Sequence, residues 1–291
     1  MNTVNASDVR SPVVPRRERV RAATEAEIVA TARNLLVAGG PSTLTLREVG
    51  RRMGMTASAL YRYVDGHDGL VDRLAASFFD ELTEALRATL DGGGTTGGTT
   101  DDVVDGTTEG SEEAADRAVS RSLMAASRAF RRWSLEHPAE FALMYGGTVH
   151  QLESGCPRTE AAGNRFGAVF LRLLLDRLPG VPVPAGTDGS PTGAAGPAPV
   201  GDGAPVFAVL PGPLGEMFAR AWVRLLGLVM VEVVGKVGHT GADPERLFEA
   251  EMADCCRSLL AVLRDVRTGT GGRPVPGGTG AETVPRGARR P

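Results

Sequence analysis

The chain has 291 residues, a formal net charge of −3 and 42% hydrophobic residues, so it is long enough for one to three domains. Its three cysteines contain no CxxC pair, which indicates neither a disulfide framework nor a zinc site, and we expect no metal or cofactor. The N-terminal residues have no apolar run of signal-peptide length, so we expect a cytoplasmic protein.

The charge is distributed unevenly along the chain. Residues 1–64 carry ten arginines against five acidic residues, a balance of +5. Residues 65–117 carry fourteen acidic residues against three arginines. A basic segment followed by an acidic one suggests a nucleic-acid partner, although a solvated arginine-rich tail would give the same pattern.

Apolar residues recur at helical spacing along most of the chain and no convincing run alternates with period two, so we predict an all-α fold. Residues 1–18 are polar and contain two prolines, and we expect a disordered tail there. A first helix begins near Arg19 and ends at the Gly-Gly-Pro sequence of residues 39–41.

Residues 45–64 have the spacing of a helix-turn-helix. Thr45 caps a short helix and is followed by Glu48 in a capping box, Gly54 ends that helix, and Thr56 caps the next one, predicted to run to residue 64. Such a pair of helices places the second helix so that it can enter a major groove, whereas an ordinary corner between two helices would have the same spacing.

The remaining helices are longer. A fourth helix begins near His67 and reaches about Leu90, where a Gly/Thr/Asp-rich linker, residues 91–110, follows. Residues 111–267 form a second helical domain with a Pro/Gly-rich insertion at 179–213, and residues 268–291 form a disordered tail.

The predicted third helix carries the side chains that DNA binding needs. Thr56, Ser58, Tyr61 and Tyr63 have hydroxyls that can bond to phosphates, and Arg62 can bind guanine through two hydrogen bonds.

The segment TLTLREVGRRMGMTASALYRYVDGHDGLVDRL, residues 43–74, resembles the DNA-binding segment of TetR-type transcriptional regulators. The resemblance covers about residues 28–90 and implies an N-terminal three-helix domain joined by a long helix to an α-helical effector and dimerisation domain. His67 stands where that family usually has lysine, so its phosphate contact would be weaker at neutral pH. The positions that match DNA-contacting positions of the family are Arg47, Thr56, Ala57, Ser58, Tyr61, Arg62, Tyr63 and His67.

The C-terminal half is similar in pattern to one actinobacterial-type subset of TetR effector domains, through residues 130–146 and 221–235. The resemblance implies a ligand held among the central helices. Aromatic residues at helical spacing either line such an apolar cavity or are plain core. The candidates are Trp133, Phe141, Tyr145, Phe166 and Phe170.

The last two predicted helices, 213–238 and 243–267, indicate self-association. The first is apolar around most of its circumference, yet charged residues interrupt it too often for a membrane span. Two such helices from each subunit would form a four-helix interface. The predicted interface residues are Trp222, Leu226, Val229, Val233, Met252 and Leu259.

An enzyme is the alternative from another class, but the sequence contains no dinucleotide fingerprint, complete P-loop, HExxH or nucleophile elbow. A small-molecule binding helical protein without operator binding is a closer alternative. We therefore predict a homodimeric transcriptional regulator of TetR type, a repressor by the family's usual role. Its expected partners are double-stranded DNA with an inverted-repeat operator and a small apolar effector.

Overall fold

A computed structural model describes residues 15–93, 108–146, 155–178, 210 and 212–268, and all regular structure in these residues is helical. The predicted all-α fold is confirmed. The helices are α1 (Arg16–Gly39), α2 (Leu46–Met53), α3 (Ala57–Leu60), α4 (Gly66–Gly93), α5 (Thr108–Glu136), α6 (Pro138–Tyr145), α7 (Pro157–Leu175), α8 (Gly212–Val233) and α9 (Pro244–Thr268).

The first three helices bury apolar residues in the core that the described helices share. Ile28 and Leu36 of α1 are fully buried, as are Val49 of α2 and Leu60 of α3. The i, i+4 and i+8 positions of α1 thus face the short helices, which is the arrangement that their spacing predicts.

Helix α4 belongs to both halves of the molecule. It packs against α1 and α2 and also against α5, α6 and α7. The buried carboxylate of Asp72 accepts hydrogen bonds from the backbone nitrogens of Arg158 (3.3 Å) and Thr159 (2.9 Å). These bonds satisfy two free amides in the first turn of α7 and hold that helix against α4.

The C-terminal helices complete the second half. Helices α8 and α9 pack against each other as a pair, and both pack against α5. Bidentate ion pairs reinforce this contact, since Arg131 of α5 donates to Glu232 of α8 at 2.7 and 2.8 Å. None of the helices in the described residues is long and apolar enough to cross a membrane.

Several predicted boundaries need correction. Helix α1 begins at Arg16 inside the predicted tail of residues 1–18, and Thr268 still belongs to α9. Both ends of the predicted 91–110 linker are helical, because α4 continues to Gly93 and α5 begins at Thr108. Helix α8 ends at Val233, five residues earlier than predicted.

Four predicted segments lie mostly outside the described residues. They are the N-terminal tail at residues 1–14, the C-terminal tail at residues 269–291, the centre of the linker at 94–107, and residues 179–209 and 211 of the insertion. The division into domains therefore stays a prediction.

Candidate nucleic-acid interface

Two glycines produce the tight turn between α2 and α3 for different reasons. Gly54 has φ +66°, a left-handed conformation that L side chains rarely adopt, and it ends α2. Gly50 lies within α2, where a Cβ atom would come 3.0 Å from the carbonyl oxygen of Met55. The turn can therefore fold back closely on α2 only because residue 50 has no side chain.

The caps are those that the sequence predicted. The Thr45 hydroxyl accepts a hydrogen bond from the Glu48 backbone nitrogen at 3.2 Å, and Thr56 accepts one from Ala59 at 3.3 Å. Glu48 does not complete the capping box, because its carboxylate accepts hydrogen bonds from Arg51 and Arg52 instead.

The third helix is shorter than the predicted 56–64. Regular α-helix covers Ala57–Leu60, and turns continue the chain to Val64. The Tyr63 carbonyl oxygen accepts a hydrogen bond from Arg73 of α4 at 3.0 Å, and Val64 is buried in the core. These contacts fix the end of α3 against α4, so the exposed side of α3 is presented in one orientation.

Most of the predicted DNA-contacting side chains lie on this exposed side. Tyr61 has 58% of its surface exposed, which is high for an aromatic residue. Arg62 is also exposed, and no acidic group in the described residues pairs with it. The other exposed predicted residues are Arg47 on α2 and Thr56, Ala57 and Ser58 at the start of α3.

Two of the predicted residues have partners within the protein. The half-buried Tyr63 has the Arg21 guanidinium over its ring at 5.8 Å. His67 places Nε2 2.9 Å from the Leu44 carbonyl oxygen, which makes Nε2 the donor. A phosphate contact by the other ring nitrogen, Nδ1, would therefore require the protonated imidazole.

Arg51 and Arg52 differ from Arg47 because both already pair with Glu48. The hydrogen bond from Arg51 lowers the pKa of Glu48 to about 2, so this carboxylate stays charged at neutral pH. The three groups together leave a net charge of +1, and Arg51 is less available to a phosphate than its exposure suggests.

Comparisons with known proteins agree with this geometry. Residues 28–74, which span α1 to the first turns of α4, match the family described as bacterial regulatory proteins, tetR family. Residues 123–255 match the tetracyclin repressor-like C-terminal domain. The chain belongs to the TetR family. It is a helix-turn-helix transcriptional regulator, and the family implies that it binds DNA and dimerises.

Similar proteins cover almost all of this TetR-family chain. The HTH-type transcriptional regulators Rv1816 of Mycobacterium tuberculosis and Mb1846 of Mycobacterium bovis are each 26% identical to it, over 87% of this chain and 97% of their own length. The crystal structure of a candidate regulatory protein, SCO4313, is 27% identical and has a TM-score of 0.53, over 83% of this chain and 98% of that one.

The aromatic residues of the second half pack against one another. Phe166 lies between Phe130 and Phe170, with ring centroids 5.6 and 5.8 Å away, and Phe141 contacts Tyr145 at 5.0 Å. Trp133 stacks on His137 and donates a hydrogen bond to Glu81 at 3.1 Å, so its polar edge has a partner in the protein.

A small cavity of about 30 Å³ lies next to these rings, between α5, α7, α8 and α9. Of the predicted pocket residues Phe170 lines it, while Trp133, Phe141, Tyr145 and Phe166 are not in its lining. Cys256 lines it as a neutral thiol, because burial raises its pKa to about 11. The remaining lining comes from α5, α8 and α9 and includes Leu123, Phe218, Trp222, Leu225, Met252, Cys255 and Leu259.

The residues predicted for the dimer interface differ in how far the protomer itself buries them, and the interface stays a prediction. Val229, Met252 and Leu259 are buried within the protomer, so they are not available to a partner. Trp222 packs against Phe170 at 5.7 Å and is also directed inward, while Leu226 and Val233 are partly buried against the core. Sequence periodicity identified an apolar helix but not which side of it the core covers.

The outward face of α8 carries residues that the sequence analysis did not select. Val223 and Val231 of α8 and Val234 directly after its end expose 68%, 42% and 54% of their surface, and Ala219 and Gly227 of α8 are also exposed. A groove of about 610 Å³ runs along α8 and α9 here.

Proposed function

We propose that the chain is a homodimeric repressor that binds an inverted-repeat operator and is released from it by a small, mainly apolar effector. The observation that carries this proposal is the position of α4. Its N-terminal turns hold α3, the recognition helix of the helix-turn-helix, because Arg73 donates a hydrogen bond to the Tyr63 carbonyl oxygen. The middle of α4 contacts the aromatic core, where the Phe79 ring lies 5.7 Å from the Tyr145 ring. A displacement in that core can therefore move the recognition helix.

The DNA contact is supported by exposed side chains in and around α2 and α3. The planar guanidinium of Arg62 can read a guanine edge in the major groove, and the exposed hydroxyls of Thr56 and Ser58, which lie 3.1 Å from each other, can bond to phosphates. Arg47 adds a positive charge one helix earlier. The sequence-reading and backbone-positioning groups thus lie on one side of the domain.

Dimerisation through α8 and α9 is supported by the exposed Val223 and Val231 of α8, by Val234 directly after it, and by the groove that Val223 lines. Three exposed valines this close along the chain are costly in water unless another surface covers them. The groove also contains Arg220 and Arg224, which can orient a second subunit through their charges. A second copy of the chain, packed helix against helix, would bury this face and place the two recognition helices symmetrically.

The effector is proposed to enter the core between α5, α7, α8 and α9. The cavity there is about 30 Å³, which is room for little more than water, so the ligand must displace the lining side chains. The Tyr145 hydroxyl is buried in this half without a hydrogen-bond partner in the described residues. An unpaired buried hydroxyl costs roughly 1–3 kcal/mol. Tyr145 lies outside the cavity lining, so an acceptor on the effector would remove that cost only if the rings between them move.

Selection of DNA by the purified full-length protein tests the operator proposal. We expect an enriched inverted repeat whose half-sites are separated by one or more helical turns. The variant Val223→Glu should sediment as a monomer and lose this enrichment, while Val37→Glu on α1 should remain a dimer. Failure to enrich any sequence with a folded dimer would favour a binding protein without an operator.

Mobility shifts with added aromatic compounds test release. We expect a compound that frees the operator from the wild type to act less on Phe170→Trp, because the larger ring fills the cavity beside Trp222. Release at the same concentration from both proteins would place the effector elsewhere.

A further inference from the structure

A second, larger cavity lies where the DNA-binding half meets the effector half. It is an open groove of about 720 Å³, which we call the junction groove. This volume is within the ~300–1,000 Å³ of ordinary small-molecule sites. Helices α1, α4 and α7 form it, and its lining includes four arginines, Arg33, Arg73, Arg158 and Arg165.

Small and apolar residues form much of this lining. Alanines from all three helices contribute, together with Val29 and the edge of Phe78. Helices α1, α4 and α7 all contribute residues to the groove, and α4 connects the two halves of the molecule. A flat apolar molecule placed in the groove would lose water contact on more than one face.

Three of the four arginines in the junction groove are neutralised by carboxylates of the same groove. The ion pairs are Arg33 with Glu81 (2.6 Å), Arg73 with Glu25 (2.8 Å) and Arg165 with Asp80 (2.6 Å). Burial alone would raise the pKa values of Glu25 and Glu81, but the hydrogen bonds from their arginine partners lower them. The two pairs therefore stay ionised at neutral pH.

Arg158 is the remaining arginine. Its backbone nitrogen is held by Asp72, its side chain is exposed, and no carboxylate in the described residues pairs with its guanidinium. Arg33 also pairs with the buried Glu140 outside the lining (2.9 Å), so Arg158 is the one arginine of this lining whose guanidinium has no ion-pair partner in the described residues. Arg73 adds a buried Nε atom that has no acceptor.

We propose that the junction groove is a binding site for a small organic anion with a flat apolar body, whose carboxylate or sulfonate group pairs with Arg158. The apolar lining takes the body of the ligand, and Arg158 supplies the charge-assisted bond. This site is separate from the cavity beside Trp222, and it touches α1 of the DNA-binding half directly. A bound anion would bridge α1 and α7 and thereby favour one relative orientation of the two halves over others.

Fluorescence titration of the full-length protein with 8-anilinonaphthalene-1-sulfonate tests the proposal, because this probe joins aromatic rings to one sulfonate. We expect Arg158→Ala to weaken binding about tenfold through the lost charge-assisted bond. The matched control is Arg172→Ala, an exposed arginine on α7 outside the groove, which should bind within about twofold of the wild type. Filling the groove with Ala161→Trp should also weaken binding while Arg158 is retained.

Competition experiments distinguish the contribution of the ligand's charge to binding from that of its apolar body. Benzoate should displace the probe from the wild type, and neutral benzyl alcohol at the same concentration should displace far less. Circular dichroism of each variant shows that it is folded. Equal binding by Arg158→Ala and Arg172→Ala would overturn the proposal, as would equal competition by the two compounds. Loss of the signal in Val223→Glu but not in Arg158→Ala would instead locate the probe on α8.

Discussion

Arginines in the helix-turn-helix and arginines at the junction between the two halves differ in their surroundings. On the exposed side of the helix-turn-helix, which we call the recognition surface, Arg47 and Arg62 are exposed and have no acidic partner in the described residues. At the junction, Arg33 lies over the Phe78 ring at 5.3 Å and binds both Glu81 and the buried Glu140. An arginine with unused donors is available to DNA, whereas one saturated by carboxylates joins helices of the protein.

The largest effect should come from the junction. Replacing Arg33 by Met leaves the Glu140 carboxylate, 3% exposed, without its only ion-pair partner in the described residues. We expect the free energy of unfolding to fall by about 3 kcal/mol, measured by urea denaturation at pH 7.

The matched control is Arg257→Met, whose partner Asp254 lies one turn away on the same helix, with the two side chains 70% and 53% exposed. That variant should lose less than about 0.5 kcal/mol. Combining Arg33→Met with Glu140→Met should recover stability, since no buried charge is then left unpaired. If the two single variants lost the same free energy of unfolding, the buried ion pair at the junction would be no more important for stability than an exposed one.

On the recognition surface the expected loss is in binding, not in folding. Arg62→Ala should weaken operator binding by about 1–3 kcal/mol and relax the preference at one base position, as measured by fluorescence anisotropy on matched and altered sites. Arg51→Ala should weaken all sites by less, because Arg51 already pairs with Glu48. A sequence-independent loss in Arg62→Ala would show that Arg62 contacts phosphate and not a base.

The turn that positions the recognition helix should show a smaller effect on stability. Gly54→Ala places a side chain at φ +66°, with no neighbouring atom within 4 Å of the new Cβ. The cost is then conformational only, about 1 kcal/mol in thermal unfolding. Gly54→Asn should cost less, because asparagine tolerates this conformation. An equal cost for both substitutions would indicate a steric cause.

The smallest effect should be the pH dependence of the Glu48 cluster. Hydrogen bonds from Arg51 and Arg52 depress the pKa of Glu48 from 4.5 to about 2, so its contribution to stability is complete above pH 4.5 and is lost as the pH falls toward 2. The difference in melting temperature between wild type and Glu48→Gln should therefore narrow from pH 7 to pH 3. A difference that widens on acidification would contradict the assigned pairing.

The DNA-binding half was largely predictable because its signals are local. Thr45 and Thr56 cap helices through hydrogen bonds that span three residues, and Gly54 ends α2 because of its own backbone conformation. The end of α3 was less predictable, since the Arg73 hydrogen bond that fixes it comes from ten residues further along the chain.

The sequence by itself determined the all-α fold, the turn chemistry of the helix-turn-helix and the membership of the TetR family. Tertiary structure alone decided that Val229 faces inward and Val223 outward, that the aromatic rings contact each other, and that Arg33 meets Glu140 across 107 residues of chain. Helical periodicity gives the spacing of an apolar stripe but not the direction in which the helix is rotated. That rotation, and the pairing of distant charges, follow from how the helices pack around a shared core.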